Sequence, residues 1–224
     1  MDLSFNKIKH IKKVNHLINL TDIYFVQNKI VTIENLSGLT KLRNLELAAN
    51  RIREIQNLES LTGLEELWLG KNKIMEMKGL DTLQNLKILS IQSNRIREIA
   101  GLDKLPNLQE LYISHNALTS LKGLEKVIGQ RVLDISHNQV TSVAGLKHLE
   151  DMEELWASYN KIADFAGVEE ELRHMVKLNT VYFEGNPLQL RAPALYRNKV
   201  RLMLPQVRQI DASKSPSLVY LSSS

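Results

Sequence analysis

The sequence contains no cysteine, only five prolines in 224 residues, and an aromatic share of 5%. Without cysteine there is no disulfide scaffold, no thiol nucleophile and no cysteine-ligated zinc or iron–sulfur site. Long apolar runs are missing too. No stretch approaches the ~18 residues that a membrane-crossing helix needs. The segment Met1 to Lys13 is charged throughout and has no signal-peptide core. These absences set the expectation of a soluble intracellular protein. What is present is ordinary globular composition, 43% hydrophobic and 24% charged, sufficient for one core or one continuous stack. The net charge of +4, from 29 basic and 25 acidic residues, makes nucleic acid a candidate partner until the charges are located.

Periodicity organises the chain. Asn6, Asn28, Asn50, Asn72, Asn94, Asn116, Asn138 and Asn160 follow one another at 22-residue intervals, and Asn186 follows 26 residues after Asn160. Around Asn50 stand Leu42, Leu45, Leu47, Ile52, Ile55, Leu58, Leu61 and Leu64, and the same frame surrounds Asn94. This is the leucine-rich repeat in its short form. The expected fold is an α/β solenoid, a horseshoe with a parallel sheet on its concave side, short 3-10 or irregular turns on its convex side, and a C-terminal cap. Strand side chains alternate, so the L-x-L pair enters the core and the residue between faces outward. The asparagine ends the strand and bonds backbone groups that would otherwise be buried unpaired. Gly79, Gly101, Gly123, Gly145 and Gly167 share a slot with Asn35 and Asn57, which predicts a left-handed turn there. The predicted organisation is repeats over 1–186, a cap over 187–212 and a disordered tail over 213–224. The four extra residues before Asn186 predict a helix over Glu169 to His174. The chain enters the repeat inside a strand, which sets the expectation that N-terminal repeats are lacking.

Outward strand positions fall six, four and two residues before each asparagine and line the concave face. The four-before column reads Asp2, Tyr24, Glu46, Trp68, Ser90, Tyr112, Asp134, Trp156, Tyr182. Together the three columns hold eight carboxylates, five aromatic rings and no lysine or arginine, so this face is acidic and aromatic. Both tryptophans stand in one column, and aromatics of this kind are enriched among interface hot spots. The positive charge lies elsewhere, on the residue after the asparagine: Lys7, Lys29, Arg51, Lys73, Arg95 and Lys161, with Arg53 and Arg97 two positions on. The aromatics sit among carboxylates rather than beside this ridge, so neither nucleic acid nor membrane is an expected partner. The six histidines show no metal-ligand spacing and read as half-exposed strand-end residues. With no phosphate-binding loop and an open face that cannot exclude water, no catalytic residue, metal or cofactor is expected.

Specific runs carry a family resemblance. Leu64 to Ile74, Gln92-Ser93-Asn94-Arg95, and the ending from Val181 to Gln189 through Leu204 to Asp211 resemble the protein phosphatase 1 regulatory subunit 7 family, leucine-rich-repeat regulators of the type-1 Ser/Thr phosphatase. The resemblance spans about residues 1 to 212 and implies a non-catalytic regulatory subunit. Its concave face would bind the phosphatase catalytic subunit and control its biogenesis, activity or holoenzyme assembly, in nucleus and cytoplasm. A disordered phosphatase inhibitor would be a third component of the complex. The implied contact residues are Asp2, Tyr24, Glu46, Trp68, Tyr112, Asp134, Glu154, Trp156 and Tyr182. The alternative reading is a leucine-rich-repeat adaptor of a spliceosomal or ciliary complex, which shares the 22-residue unit.

Overall fold

The computed structural model describes residues 1–214. Eight parallel three-residue strands follow in order: β1 (Asp22–Tyr24), β2 (Asn44–Glu46), β3 (Glu66–Trp68), β4 (Ile88–Ser90), β5 (Glu110–Tyr112), β6 (Val132–Asp134), β7 (Glu154–Trp156) and β8 (Thr180–Tyr182). Beyond them β9 (Gln209–Ile210) pairs in parallel with β8, and β10 (Ser213–Lys214) pairs antiparallel with β9, completing one sheet in sequence order. Register follows the repeat, so Leu45 faces Leu67 and Glu46 faces Trp68. The middle residue of each strand from β1 to β8 is buried, and the residues flanking it form the outward columns expected from the sequence, apart from the buried Ser90, Asp134 and Thr180.

The asparagines from Asn28 to Asn160 form a ladder of four bonds each, and Asn186 adds three. Asn50 Nδ2 donates to Phe25 O (2.9 Å), Leu47 O (3.0 Å) and Ala48 O (3.2 Å), while its Oδ1 accepts from Ile30 N at 2.9 Å. One amide therefore ties its own turn to the repeat before it. The turn has a feature that composition does not announce. Every residue preceding a ladder asparagine is left-handed, from Phe5 (φ 59°) through Ala49 (56°), Lys71 (55°), His137 (54°) and Tyr159 (56°) to Gly185 (75°). A side-chain-bearing residue in that region costs about 1–2 kcal/mol. Four bonds at about 0.5–1.5 kcal/mol each offset it.

The convex side is built of separate i to i−3 turns. Leu39 N donates to Leu36 O and Leu42 N to Leu39 O, never in the consecutive run a 3-10 helix requires. Asn35 and Asn57 are left-handed as expected, and their Nδ2 atoms donate to Ile11 O and Ile33 O of the preceding repeat. Gly79, Gly101, Gly123 and Gly145 are also left-handed, and Lys13 joins the same column at φ 59°. At Gly123 (φ 101°) an added Cβ would lie 2.0 Å from Ile99 O. Gly123→Ala should therefore destabilise the chain by about 1–3 kcal/mol, read as a lower denaturation midpoint in urea.

Two expectations are corrected near the C-terminal end. The helix α1 spans Phe165–Leu172 and starts four residues before the predicted Glu169, because Asp164 caps it through the amides of Ala166 and Gly167. Gly167 accordingly lies inside a helix and not in a left-handed turn. The predicted tail also begins late, since Ser213 and Lys214 form β10; residues 215–224 lie outside the described residues.

The expected cap comprises α2 (Pro187–Leu190) and α3 (Pro193–Met203), which buries Tyr196, Val200 and Met203. Asp211 joins the cap to the last repeat. One carboxylate oxygen accepts from Phe183 N (2.9 Å), Glu184 N (3.0 Å) and Tyr196 OH (3.2 Å), and Arg197 Nη1 donates to the neighbouring Ile210 O at 2.7 Å. In an interior repeat the amide equivalent to Phe183 N donates to the next strand, as Phe25 N does to Glu46 O. At the other end Leu3, Ile8, Leu17 and Leu20 are only partly buried, whereas their counterparts Phe25, Ile30, Leu39 and Leu42 are fully buried. Among the described residues no helix is long and apolar enough to cross a membrane.

Candidate partner-binding face

Four aromatic side chains of the four-before column form a continuous run. The Trp68 and Tyr112 rings stack at 6.3 Å between centroids, Tyr112 and Trp156 meet at 6.0 Å, and Trp156 and Tyr182 meet edge-on at 6.0 Å. Trp68 and Tyr112 are two repeats apart, as are Tyr112 and Trp156. The residues between, Ser90 and Asp134, are small and buried, so the rings lean across them. Such pairs add about 0.5–1.5 kcal/mol beyond the area they bury.

The six-before column holds the polar edges of these rings. Trp68 Nε1 donates to Glu66 Oε2 (3.2 Å), Tyr112 OH to Glu110 Oε2 (2.7 Å) and Trp156 Nε1 to Glu154 Oε2 (2.9 Å). Three successive odd-numbered strands thus carry the same pair, a carboxylate gripping the aromatic two residues on. Tyr182 is fixed differently: its hydroxyl accepts from Gln209 Nε2 of the cap at 2.5 Å. Of the predicted contact residues, Trp68, Tyr112, Glu154, Trp156 and Tyr182 come together in this run. Glu66 and Glu110 belong with them, although only their column position, two residues before a large aromatic, signalled it. Gln209 carried no signal, because the cap has no repeat register.

Of the remaining predicted residues, Asp2 and Tyr24 are placed apart from the run, Glu46 is the register neighbour of Trp68, and Asp134 lies between Tyr112 and Trp156. Tyr24 and Glu46 stand on β1 and β2, half-buried toward the N-terminal end. Asp2 and Asp134 turn a carboxylate oxygen onto their own backbone, accepting from Ser4 N and Ser136 N at 2.9 Å each. Asp134 is in addition buried beneath the rings.

The face is negative throughout. Burial first, then the carboxylates of Asp22, Glu46, Glu66 and Asp2, push the Tyr24 phenol up. Burial and Asp2 raise the Glu46 carboxyl, while the Ser4 amide lowers that of Asp2. Burial and the bond to Glu110 shift the Tyr112 phenol well above its ordinary value. A cationic surface approaching these groups would relieve their mutual repulsion.

The rim beside this face carries a second stack. His115 and His137 lie face to face at 4.0 Å, and His137 on Tyr159 at 4.4 Å. All three are left-handed residues preceding ladder asparagines, and Tyr159 rests over Gly185, where a Cβ would meet the ring at 2.5 Å. Burial and the neighbouring His115 lower the His137 imidazole. Among the described residues no group of His, Asp and Glu is arranged to share a metal ion.

Sheet order, asparagine ladder and open concave face define a leucine-rich-repeat protein, and the family model described as Leucine Rich repeats (2 copies) matches residues 40–82 and 84–126. Within that class the chain is similar to protein phosphatase 1 regulatory subunits. It is 67% identical over 49 residues to protein phosphatase 1 regulatory subunit SDS22 of Schizosaccharomyces pombe, a stretch covering 22% of this chain and 15% of that protein. It is 57% identical over 44 residues to protein phosphatase 1 regulatory subunit 7 of Xenopus tropicalis, covering 20% of this chain and 12% of that protein. The match thus spans well under a quarter of either relative. Among solved structures, a Leptospira interrogans leucine-rich-repeat protein superposes with a TM-score of 0.80 at 25% identity, covering 92% of this chain and 53% of that one. The family resemblance read from the sequence is borne out by these relatives over the 49 and 44 residues that they match.

Proposed function

We propose that this chain is a non-catalytic binding module for the type-1 Ser/Thr phosphatase catalytic subunit, engaging it through the concave face. The observation that carries the reading is the run Trp68, Tyr112, Trp156 and Tyr182, whose first three polar edges are held by own-strand carboxylates. Rings fixed in this way lose little side-chain freedom on binding, and the surrounding carboxylates suit a basic, partly apolar surface. The names of the relatives identify which partner to test. The same reading places the chain in nucleus and cytoplasm, acting on biogenesis, activity or holoenzyme assembly, with a disordered inhibitor as third component.

The test is calorimetric titration of purified catalytic subunit into this chain, with association rates followed at several ionic strengths. Binding is expected, and its association rate should fall several-fold between about 50 and about 200 mM salt, because the Debye length shortens across that range. A folded chain that shows no heat of binding would sink the proposal. A rate indifferent to salt would remove electrostatic steering from it.

A further inference from the structure

The two rims of the horseshoe treat charge in opposite ways. Seven residues before the asparagines, at the strand entrances, opposite signs are neighbours in two groups on either side of the neutral Gln109 and pair across repeats: Arg43 with Glu65 (3.8 Å), Glu65 with Lys87 (2.6 Å), Arg131 with Glu153 (2.9 Å). At the strand exits the residues after the asparagines are Lys7, Lys29, Arg51, Lys73 and Arg95, five consecutive repeats of one sign. None of the five forms an ion pair among the described residues. Their backbones are in register, with Arg51 N on Ile30 O and Lys73 N on Ile52 O, both at 2.8 Å. Neighbouring cations are therefore rooted about 4.8 Å apart, in a row about 20 Å long.

Solubility alone would be served equally well by alternating signs, which the opposite rim shows this spacing can accommodate. A row of unpaired like charges repels itself, and an anionic partner removes that repulsion. We infer that this ridge is a docking surface for an extended acidic polypeptide segment, separate from the concave face. An extended chain rises about 3.3 Å per residue, so about six residues span the row and offer it alternate carboxylates. The choice of polypeptide over single-stranded nucleic acid rests on the column beside the ridge. It reads Phe5, Gln27, Ala49, Lys71 and Ser93, one ring in five repeats, so bases would find no stacking platform. Further along, His137 is held between the rings of His115 and Tyr159. The acidic concave face repels the same segment and confines it to the rim.

The probe is a dye-labelled oligoglutamate peptide about ten residues long, followed by fluorescence anisotropy at about 50 and about 200 mM salt. Wild type should bind and weaken as salt rises. Reversing Lys29→Glu, Arg51→Glu and Lys73→Glu together should weaken binding at least about tenfold. The control Lys104→Glu, Lys122→Glu and Lys147→Glu changes the net charge by the same amount away from the ridge and should bind as wild type does. Equal losses in the two variants would show that net charge alone is read, and would overturn the inference. So would a wild type that does not bind, or oligouridylate of equal charge binding more tightly than the peptide. If charge reversal prevents folding by circular dichroism, the neutral Lys29→Gln, Arg51→Gln, Lys73→Gln variant carries the same test. Phosphatase binding should be unchanged in every ridge variant, so this inference and the concave-face proposal fail separately.

Discussion

Trp156→Ala is expected to weaken binding of the type-1 phosphatase catalytic subunit by about thirtyfold, the equivalent of about 2 kcal/mol, in the same calorimetric titration. Trp156 has an aromatic neighbour on each side, Tyr112 and Tyr182, both at 6.0 Å, and its indole is fixed on Glu154. Removing it breaks the run into two unconnected parts and leaves Glu154 without its donor. Trp156→Phe helps to separate the contributions, because it keeps a ring between the tyrosines while deleting the 2.9 Å bond and the smaller share of the indole's surface. It should recover most of the affinity. A Trp156→Ala variant that stays folded and binds the phosphatase as well as wild type would mean that the partner sits elsewhere on the molecule.

Asn138→Ala should be strongly destabilising, lowering stability by about 3 kcal/mol in urea denaturation. Asn138 is 1% exposed. Its Nδ2 donates to Ile113 O (3.1 Å), Ile135 O (2.9 Å) and Ser136 O (3.3 Å), and its Oδ1 accepts from Leu118 N at 3.0 Å. Alanine would orphan Leu118 N in the interior, would take one of two partners from Ile113 O, Ile135 O and Ser136 O, which also accept from Asn116 Nδ2, Asn160 Nδ2 and His115 N, and would leave the left-handed His137 without the bonds that offset its strain. Asn6→Ala is the matched comparison. Asn6 is exposed and bonds only Leu3 O and Ser4 O of its own turn, so it should cost less than about 1 kcal/mol. Equal losses at the two positions would show that burial of the ladder is not what makes it strong.

Spacing alone revealed the ladder, the strands and the outward columns, because eight asparagines at 22-residue intervals, with a ninth 26 residues on, leave one register that buries every L-x-L pair. The left-handed residue before each asparagine was not legible. Ala49, Lys71 and Tyr159 have no preference for that conformation, and only Gly185 does; the asparagine bonds impose it from the neighbouring residue. The early start of α1 had a readable sign in Asp164, a side chain suited to a helix N-terminus, but the charged stretch after Glu169 drew the prediction later. At the candidate site the columns named the rings correctly but not their contacts. Those contacts skip a repeat across Ser90 and Asp134, which depends on side-chain size at two particular positions. The inward turn of Asp134 onto Ser136 N was likewise invisible to a rule that assigns every four-before residue to the surface.

The carboxylate of Asp211 has a meaning for assembly beyond this one molecule. A parallel sheet built from identical units resembles a linear polymer, and its exposed last strand is a template onto which another chain can add. Here the Phe183 and Glu184 amides are already occupied by a side chain that offers no onward strand, and β10 runs antiparallel beyond it, against the polarity any incoming repeat would need. Asp211 thus stands where the backbone of a further repeat would accept from Phe183 N, and the cap covers the strand edge of the last repeat.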